Sequence, residues 1–166
     1  HGALLRLWVG ALMLTVMGRK RRPKRSTLFL LDECAQLGEF GPLRQSMTLL
    51  RGYGLQVWPF FQDLSQLQRL YPKDWRTIFN NAGVFQLFGV ANHLMAKESS
   101  ELIGDIDADK LRGMTKEQQI ISISNQKALS ARLPDYLMDA PFAGQFDANP
   151  MFETDDAPVK RKPRAR

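Results

Sequence analysis

The run Leu28-Phe29-Leu30-Leu31-Asp32-Glu33 joins an unbroken apolar stretch to two adjacent carboxylates. Continuous hydrophobicity over so short a stretch suits a strand buried on both faces, as in a parallel sheet. Such a strand delivers the acids that follow it to the C-terminal edge of the sheet, where open α/β folds bind their ligands. Two neighbouring carboxylates can then divide the work of phosphoryl transfer. Asp32 is suited to hold Mg²⁺ through water, because Mg²⁺ takes one or two carboxylates and completes its shell with water and phosphate oxygens. Glu33 is suited to orient and deprotonate an attacking water. This is the Walker B arrangement. The same dipeptide also occurs simply as the cap of a turn, so the pair alone leaves both readings open.

Two further side chains have types that fit this chemistry. Gln62 directly follows the apolar run Leu55–Phe61. A polar residue at the tip of a neighbouring strand can sense a γ-phosphate; alternatively it is an ordinary loop residue that starts the next helix. Arg51 stands in the turn Leu50-Arg51-Gly52-Tyr53-Gly54. A guanidinium there can reach the phosphate of a neighbouring subunit and neutralise charge in the transition state. It can equally be an exposed helix-end arginine facing the C-terminal dipole.

The elements that must hold these residues alternate along the chain. Ala3–Gly18 reads as a helix that is apolar nearly all round, the pattern of a core helix packed between a sheet and other elements. Thr27–Leu31 is a strand, Leu43–Arg51 a helix, and Leu55–Phe61 a second strand in which Pro59 is an irregularity. Leu64–Leu70 is a short helix capped by Asp63 or Ser65, and Trp75–Asn80 another. Val84–Phe88 is a third strand and His93–Ile103 a helix ending at Gly104. Gln119–Ser124 and Ala128–Leu133 form a last strand pair around Asn125-Gln126. Strands alternating with helices indicate an α/β layered domain. His93, at a helix start, reads as a capping or surface residue, since no acid or nucleophile is placed to work with it.

Composition limits the alternatives. Hydrophobic residues make up 44% of the 166 and charged residues 24%, the balance of a globular core. Cys34 is the single cysteine, so no internal disulfide framework exists. The net charge of +6 is concentrated in two places. One is Arg19, Lys20, Arg21, Arg22, Lys24 and Arg25; the other is Lys160, Arg161, Lys162, Arg164 and Arg166. Set aside from the 23 basic residues, these eleven leave the rest of the chain net acidic against its 17 carboxylates. The apolar run Ala3–Met17 ahead of the first cluster is shorter than the roughly 20 residues a bilayer requires, and Arg6 interrupts it. From Met151 the chain is polar, charged and without apolar period, as in a disordered basic tail. The domain reading is therefore 1–150 for the folded part and 151–166 for the tail. The first residue is His1 rather than Met, which reads as a fragment or an unusual start.

Taken together, Leu31-Asp32-Glu33-Cys34-Ala35-Gln36-Leu37-Gly38, Leu49-Leu50-Arg51-Gly52-Tyr53-Gly54-Leu55-Gln56, Gln62-Asp63-Leu64-Ser65-Gln66-Leu67 and Trp75-Arg76-Thr77-Ile78-Phe79-Asn80-Asn81 resemble the TraG-like coupling proteins of conjugation and type IV secretion. The resemblance runs from about Leu4 to Pro150 and includes Phe142-Ala143-Gly144-Gln145-Phe146-Asp147. It implies an α/β fold, namely the C-terminal part of a RecA-like P-loop NTPase domain with a mainly parallel sheet flanked by helices. It implies ATP and Mg²⁺ as cofactors, Asp32 and Glu33 as the Walker B acids, Gln62 as the sensor at the nucleotide, and Arg51 as the inter-subunit arginine. It further implies a homo-hexamer at the cytoplasmic face of the bacterial inner membrane. Such a motor feeds relaxase-bound single-stranded DNA or effector proteins to the secretion channel. DNA pumps of the FtsK or HerA kind share this frame, but the Arg51–Gln56 turn and the Gln62–Leu67 motif favour the coupling branch. A non-enzymatic polyanion-binding remnant is the reading from a different class. The 166 residues contain no phosphate loop of the form G-x-x-x-x-G-K-[ST], so by themselves they are expected not to hydrolyse ATP.

Overall fold

The computed structural model describes residues 2–21, 23–90, 92–124 and 126–145. The basic tail expected from Met151 onward lies outside the described residues, as do Arg22 of the first basic cluster, Asn125 and residues 146–150. The elements run α1 (Gly2–Met17), β1 (Thr27–Leu31), α2 (Gly41–Leu49), β2 (Leu55–Pro59), α3 (Leu64–Leu70), α4 (Trp75–Asn80), β3 (Val84–Phe88), α5 (His93–Ile103), α6 (Ala108–Arg112), β4 (Gln118–Ile123) and β5 (Leu129–Arg132). Short 3-10 turns at Cys34–Leu37 and Leu50–Tyr53 complete the set.

The strands form two groups. β1 and β2 pair in parallel, from Thr27 opposite Leu55 to Leu31 opposite Pro59. β3, β4 and β5 form an antiparallel sheet in that order. Pro59 is tolerated because it is the last residue of β2, and the next amide, that of Phe60, takes up the ladder by donating to Leu31 O at 3.0 Å. Between the free edge of β2 and that of β3 lies a groove of about 890 Å³ lined by both strands. Phe60 and Phe88 stack across it with ring centroids 6.2 Å apart.

Each strand group has its own core. Met13, Leu31, Cys34, Leu37, Phe40, Leu43, Leu67, Tyr71 and Ile78 pack together under β1 and β2. Leu87, Ala96, Ile106, Leu111 and Ile120 pack between the second sheet and helices α5 and α6. Asn92 caps α5 by accepting the Met95 amide at 2.9 Å, and Gly104 ends it in the left-handed conformation.

The reading of α1 as a buried core helix is corrected. Only Met13 and Val16 are buried, while Leu7 is 67% and Trp8 63% exposed. A helix apolar on every side can bury only the face that meets another layer. Among the described residues, α1 meets one layer, the 3-10 turns and the face of β1 and β2 that carries Phe29 and Val57. The opposite face of the same pair, with Leu28, Leu30 and Trp58, is likewise exposed. No helix among the described residues is long and apolar enough to cross a membrane.

One buried polar link ties α3 to α2. The Tyr71 hydroxyl accepts the Phe40 amide at 3.0 Å, and both residues are buried. Phe40 O is already served by the Leu43 amide at 3.1 Å, so the hydroxyl chiefly satisfies the N–H. Tyr71→Phe should therefore leave a buried donor unpaired and lower unfolding stability by about 1–3 kcal/mol. Urea unfolding would show it, and an unchanged midpoint would mean that water replaces the hydroxyl.

Candidate functional site

Residue Phe60 organises the C-terminal edge of the parallel pair. Its N–H donates to Leu31 O at 3.0 Å, and its own carbonyl accepts from Cys34 N–H at 2.9 Å. Both ends of the Asp32-Glu33 segment are thus fastened to one residue. The two acids have no place in the ladder and loop outward, the geometry of a bulge. The cost falls on Glu33, a non-glycine residue at φ 49°, ψ 48° in the left-handed region. Both carboxylates are exposed.

Local hydrogen bonds orient the looped acids. Asp32 Oδ1 accepts the Glu33 amide at 3.1 Å, leaving Oδ2 available. Glu33 O accepts the Gln36 amide at 2.9 Å, and Glu33 Oε2 accepts a hydrogen bond from Gln36 Nε2. The 3-10 turn Cys34–Leu37 therefore braces Glu33 through both backbone and side chain. That turn is anchored by buried Cys34 and Leu37 and by Arg6 Nε of α1, which donates to Leu37 O. Burial pushes the Cys34 thiol up to about 12, so it stays protonated and packs as a small hydrophobe.

Gln62 lies two residues beyond Phe60 and is held by Gln66. The Gln62 amide donates to Gln66 Oε1 at 3.0 Å, and Gln66 Nε2 donates to Gln62 Oε1 at 3.0 Å. Asp63 caps α3 by accepting the Gln66 amide at 2.9 Å. Its carboxyl is held below the usual range, first by the Ser65 hydroxyl and then by the Gln66 amide. The Phe60 ladder bonds thus bring the Asp32-Glu33 loop and the turn carrying Gln62 to the same edge.

The backbone of Arg51 lies at the other end of the strands. It sits in the 3-10 turn Leu50–Tyr53 that leads into β2, and Gly54 O accepts the Thr27 amide at 2.8 Å, so this turn marks the N-terminal ends of both strands. Five residues at about 3.3 Å each separate the two ends by roughly 17 Å. His93 is the exposed first residue of α5, whose cap is Asn92.

An Mg²⁺ site fits the donors present. Asp32 offers one exposed hard oxygen, and no cluster of three or more ligating side chains exists among the described residues. That suits an ion held mainly by phosphate and water rather than by a protein cage. Sequence reasoning misses Phe60, Gln36 and Gln66. The spacing of Glu33 to Gln36 and of Gln62 to Gln66 could flag the two glutamines as neighbours on a turn of helix.

The parallel strand pair, with two acids and a glutamine-bearing turn at its C-terminal edge and helices packed beside it, is an α/β arrangement of the kind seen in the coupling protein TrwB. Comparison with known proteins agrees. The family described as "TraM recognition site of TraD and TraG" matches residues 26–140. The conjugal transfer protein TraG of Agrobacterium fabrum strain C58 is 37% identical over 71 residues, which are 43% of this chain and 11% of that protein. The bacterial conjugative coupling protein TrwB, in an unbound form lacking its N-terminal segment, superposes with a TM-score of 0.70 at 19% identity, over 80% of this chain and 38% of that one. TrwB in complex with ADP and Mg²⁺ superposes at 0.69 and 20% identity, over 80% and 37%. The chain belongs to the TraG-like coupling protein family, of whose curated relatives it spans about a tenth of the length.

The left-handed backbone at Glu33 makes a testable demand. Glu33→Asn, a residue that tolerates this region, should leave unfolding stability within about 1 kcal/mol of the parent, whereas β-branched Glu33→Val should cost about 1–2 kcal/mol. Equal stabilities of the two variants in urea would show that the loop relaxes out of this conformation.

Proposed function

We propose that this chain is part of a hexameric ATPase that couples ATP hydrolysis to transfer of DNA or effector proteins through a type IV secretion system. The observation that carries the reading is the Phe60-fastened loop, which presents Asp32 and Glu33 beside the turn that carries Gln62. Family membership supports it, as does the complex of TrwB with ADP and Mg²⁺. Asp32 binds the hydrated Mg²⁺ of the nucleotide through its free oxygen. Glu33, braced by Gln36, takes a proton from the attacking water. Gln62 contacts the terminal phosphate. When bound, Mg²⁺ supplies charge neutralisation at the β- and γ-phosphates.

These 166 residues contain no phosphate loop of the form G-x-x-x-x-G-K-[ST], so the chain by itself is expected to show no ATP turnover. The full protein is anchored at the cytoplasmic face of the inner membrane and engages single-stranded DNA with its relaxase, or effector proteins, together with channel components. A TraM-type accessory protein is the partner that the family description suggests for this segment. Arg51, at the far end of β2 from the acids, serves the nucleotide of an adjacent subunit.

In the full-length protein, Glu33→Gln should reduce ATP hydrolysis by about a hundredfold or more while nucleotide binding stays near normal. Asp32→Ala should weaken Mg²⁺-nucleotide binding as well. Phosphate release and equilibrium binding separate the two roles, and wild-type turnover in Glu33→Gln would refute the assignment. For Arg51, hexamers mixing Arg51→Ala subunits with subunits lesioned in the phosphate loop should recover part of the activity that neither shows alone. Absence of recovery at every mixing ratio would make Arg51 an ordinary helix-end cation.

A further inference from the structure

Gln62 and Gln66 form a reciprocal pair whose polarity admits one assignment. A backbone N–H can only donate, so the Gln66 atom that meets the Gln62 amide at 3.0 Å must be the oxygen. The other terminal atom of Gln66 is then its NH2, which must meet an acceptor. It lies 3.0 Å from the Gln62 side chain, so the Gln62 atom there is Oε1. The remaining atom, the Gln62 NH2, is left over. The hydrogen-bond network thus decides which way both amides point.

Gln66 is itself fixed. Its backbone amide donates to Asp63 Oδ1 at 2.9 Å, and the same oxygen accepts the Ser65 hydroxyl at 2.6 Å. It lies one residue before Leu67, which is buried in the core beneath β1 and β2. Gln62 is exposed, and its turn is continuous with Phe60, which fastens the Asp32-Glu33 loop.

We propose that Gln66 is a positioning residue that sets the hydrogen-bond polarity of Gln62, so that Gln62 presents its NH2 to the nucleotide edge and acts there as a donor to an anionic phosphate oxygen. This rests on the reading of Gln62 as the residue that contacts the terminal phosphate. With its carbonyl oxygen held against Gln66 on α3 and only one further lone pair open, Gln62 meets the edge as a donor and is poorly placed for orienting water by accepting a hydrogen bond from it. That task is left to Glu33. The contact strengthens as negative charge grows on the transferring phosphoryl oxygens, so its effect belongs on turnover more than on ground-state binding.

The test uses the full-length protein with ATP and Mg²⁺. In Gln66→Glu, the introduced carboxylate still accepts the Gln62 amide but has no hydrogen for Gln62 Oε1. Gln62 should then turn, give its NH2 to that carboxylate and face the site with its oxygen. The expected result is a fall in kcat of at least about tenfold with KM for ATP within about twofold, because a transition-state donor is lost. Lowering the pH from about 8 towards about 5.5 begins to protonate the introduced carboxylate. That restores a donor at this position and should shrink the ratio of wild-type to variant kcat. Gln62→Ala and Gln66→Glu should not be additive in the double variant. Unchanged kcat in Gln66→Glu overturns the proposal. So does a fall that is the same at every pH and additive with Gln62→Ala, since that is what simple damage to α3 would give. If Gln62→Ala alone hydrolyses normally, the reading of Gln62 as phosphate contact fails and the proposal fails with it, leaving the roles of Asp32 and Glu33 to their own variants.

Discussion

Two backbone hydrogen bonds at Phe60, to Leu31 O and from Cys34 N–H, govern the whole candidate site. They carry the parallel ladder one residue past Pro59, where the strand itself ends. They also fix the span between Leu31 and Cys34, so Asp32 and Glu33 must leave the ladder together. Everything else at that edge follows. Cys34 can then enter the core and start the 3-10 turn, which places Gln36 against Glu33. The chain leaving Phe60 enters the turn that carries Gln62 and the Asp63 cap. One neighbour relation between β1 and β2 thus brings together three polar side chains, Asp32, Glu33 and Gln62, from two segments far apart in sequence.

The strain at Glu33 and the two glutamine braces belong together. A left-handed glutamate costs about 1–2 kcal/mol, and it persists because Leu31, Cys34 and Leu37 are packed too well for the loop to relax. Gln36 and Gln66 contribute little to global stability, being exposed or half-buried. Their effect is to remove rotamer freedom from Glu33 and Gln62 before any ligand arrives, which lowers the ordering entropy that binding and catalysis must otherwise overcome.

Much of this is legible in the residues. β1 can be read because four apolar residues without alternation, Leu28 to Leu31, end abruptly in two acids, and the last strand pair because Asn125-Gln126 punctuates it. The short helix α3 carries its own cap in Asp63, and α4 its stop at Asn81. The periodicity of α1 reveals a helix but not its exposure, since it reports which residues are apolar and not which layers come to meet them. The 3-10 turns and α6 escape a sequence reading: four or five residues are too few to show a period, although Asp107 precedes α6 as its cap. The Gln62–Gln66 polarity lies beyond the sequence because it depends on which backbone N–H faces the amide. The turn that holds Arg51 is visible in its glycines, but only the register of β1 on β2 shows that this turn lies at the end opposite the acids.

The groove between β2 and β3 has a consequence for how the polypeptide behaves as a colloid. Two strand edges with no partner among the described residues flank it, and Leu28, Leu30 and Trp58 lie exposed nearby. Such edges are templates for foreign strands, and an apolar sheet face beside them strengthens the attraction. Only brevity opposes it: each edge is five residues long, and Pro59 removes one donor from the first. Expressed without further sequence to lie against these surfaces, the 166 residues should therefore self-associate through the groove, and their solubility in vitro becomes a direct gauge of how well those two edges are covered.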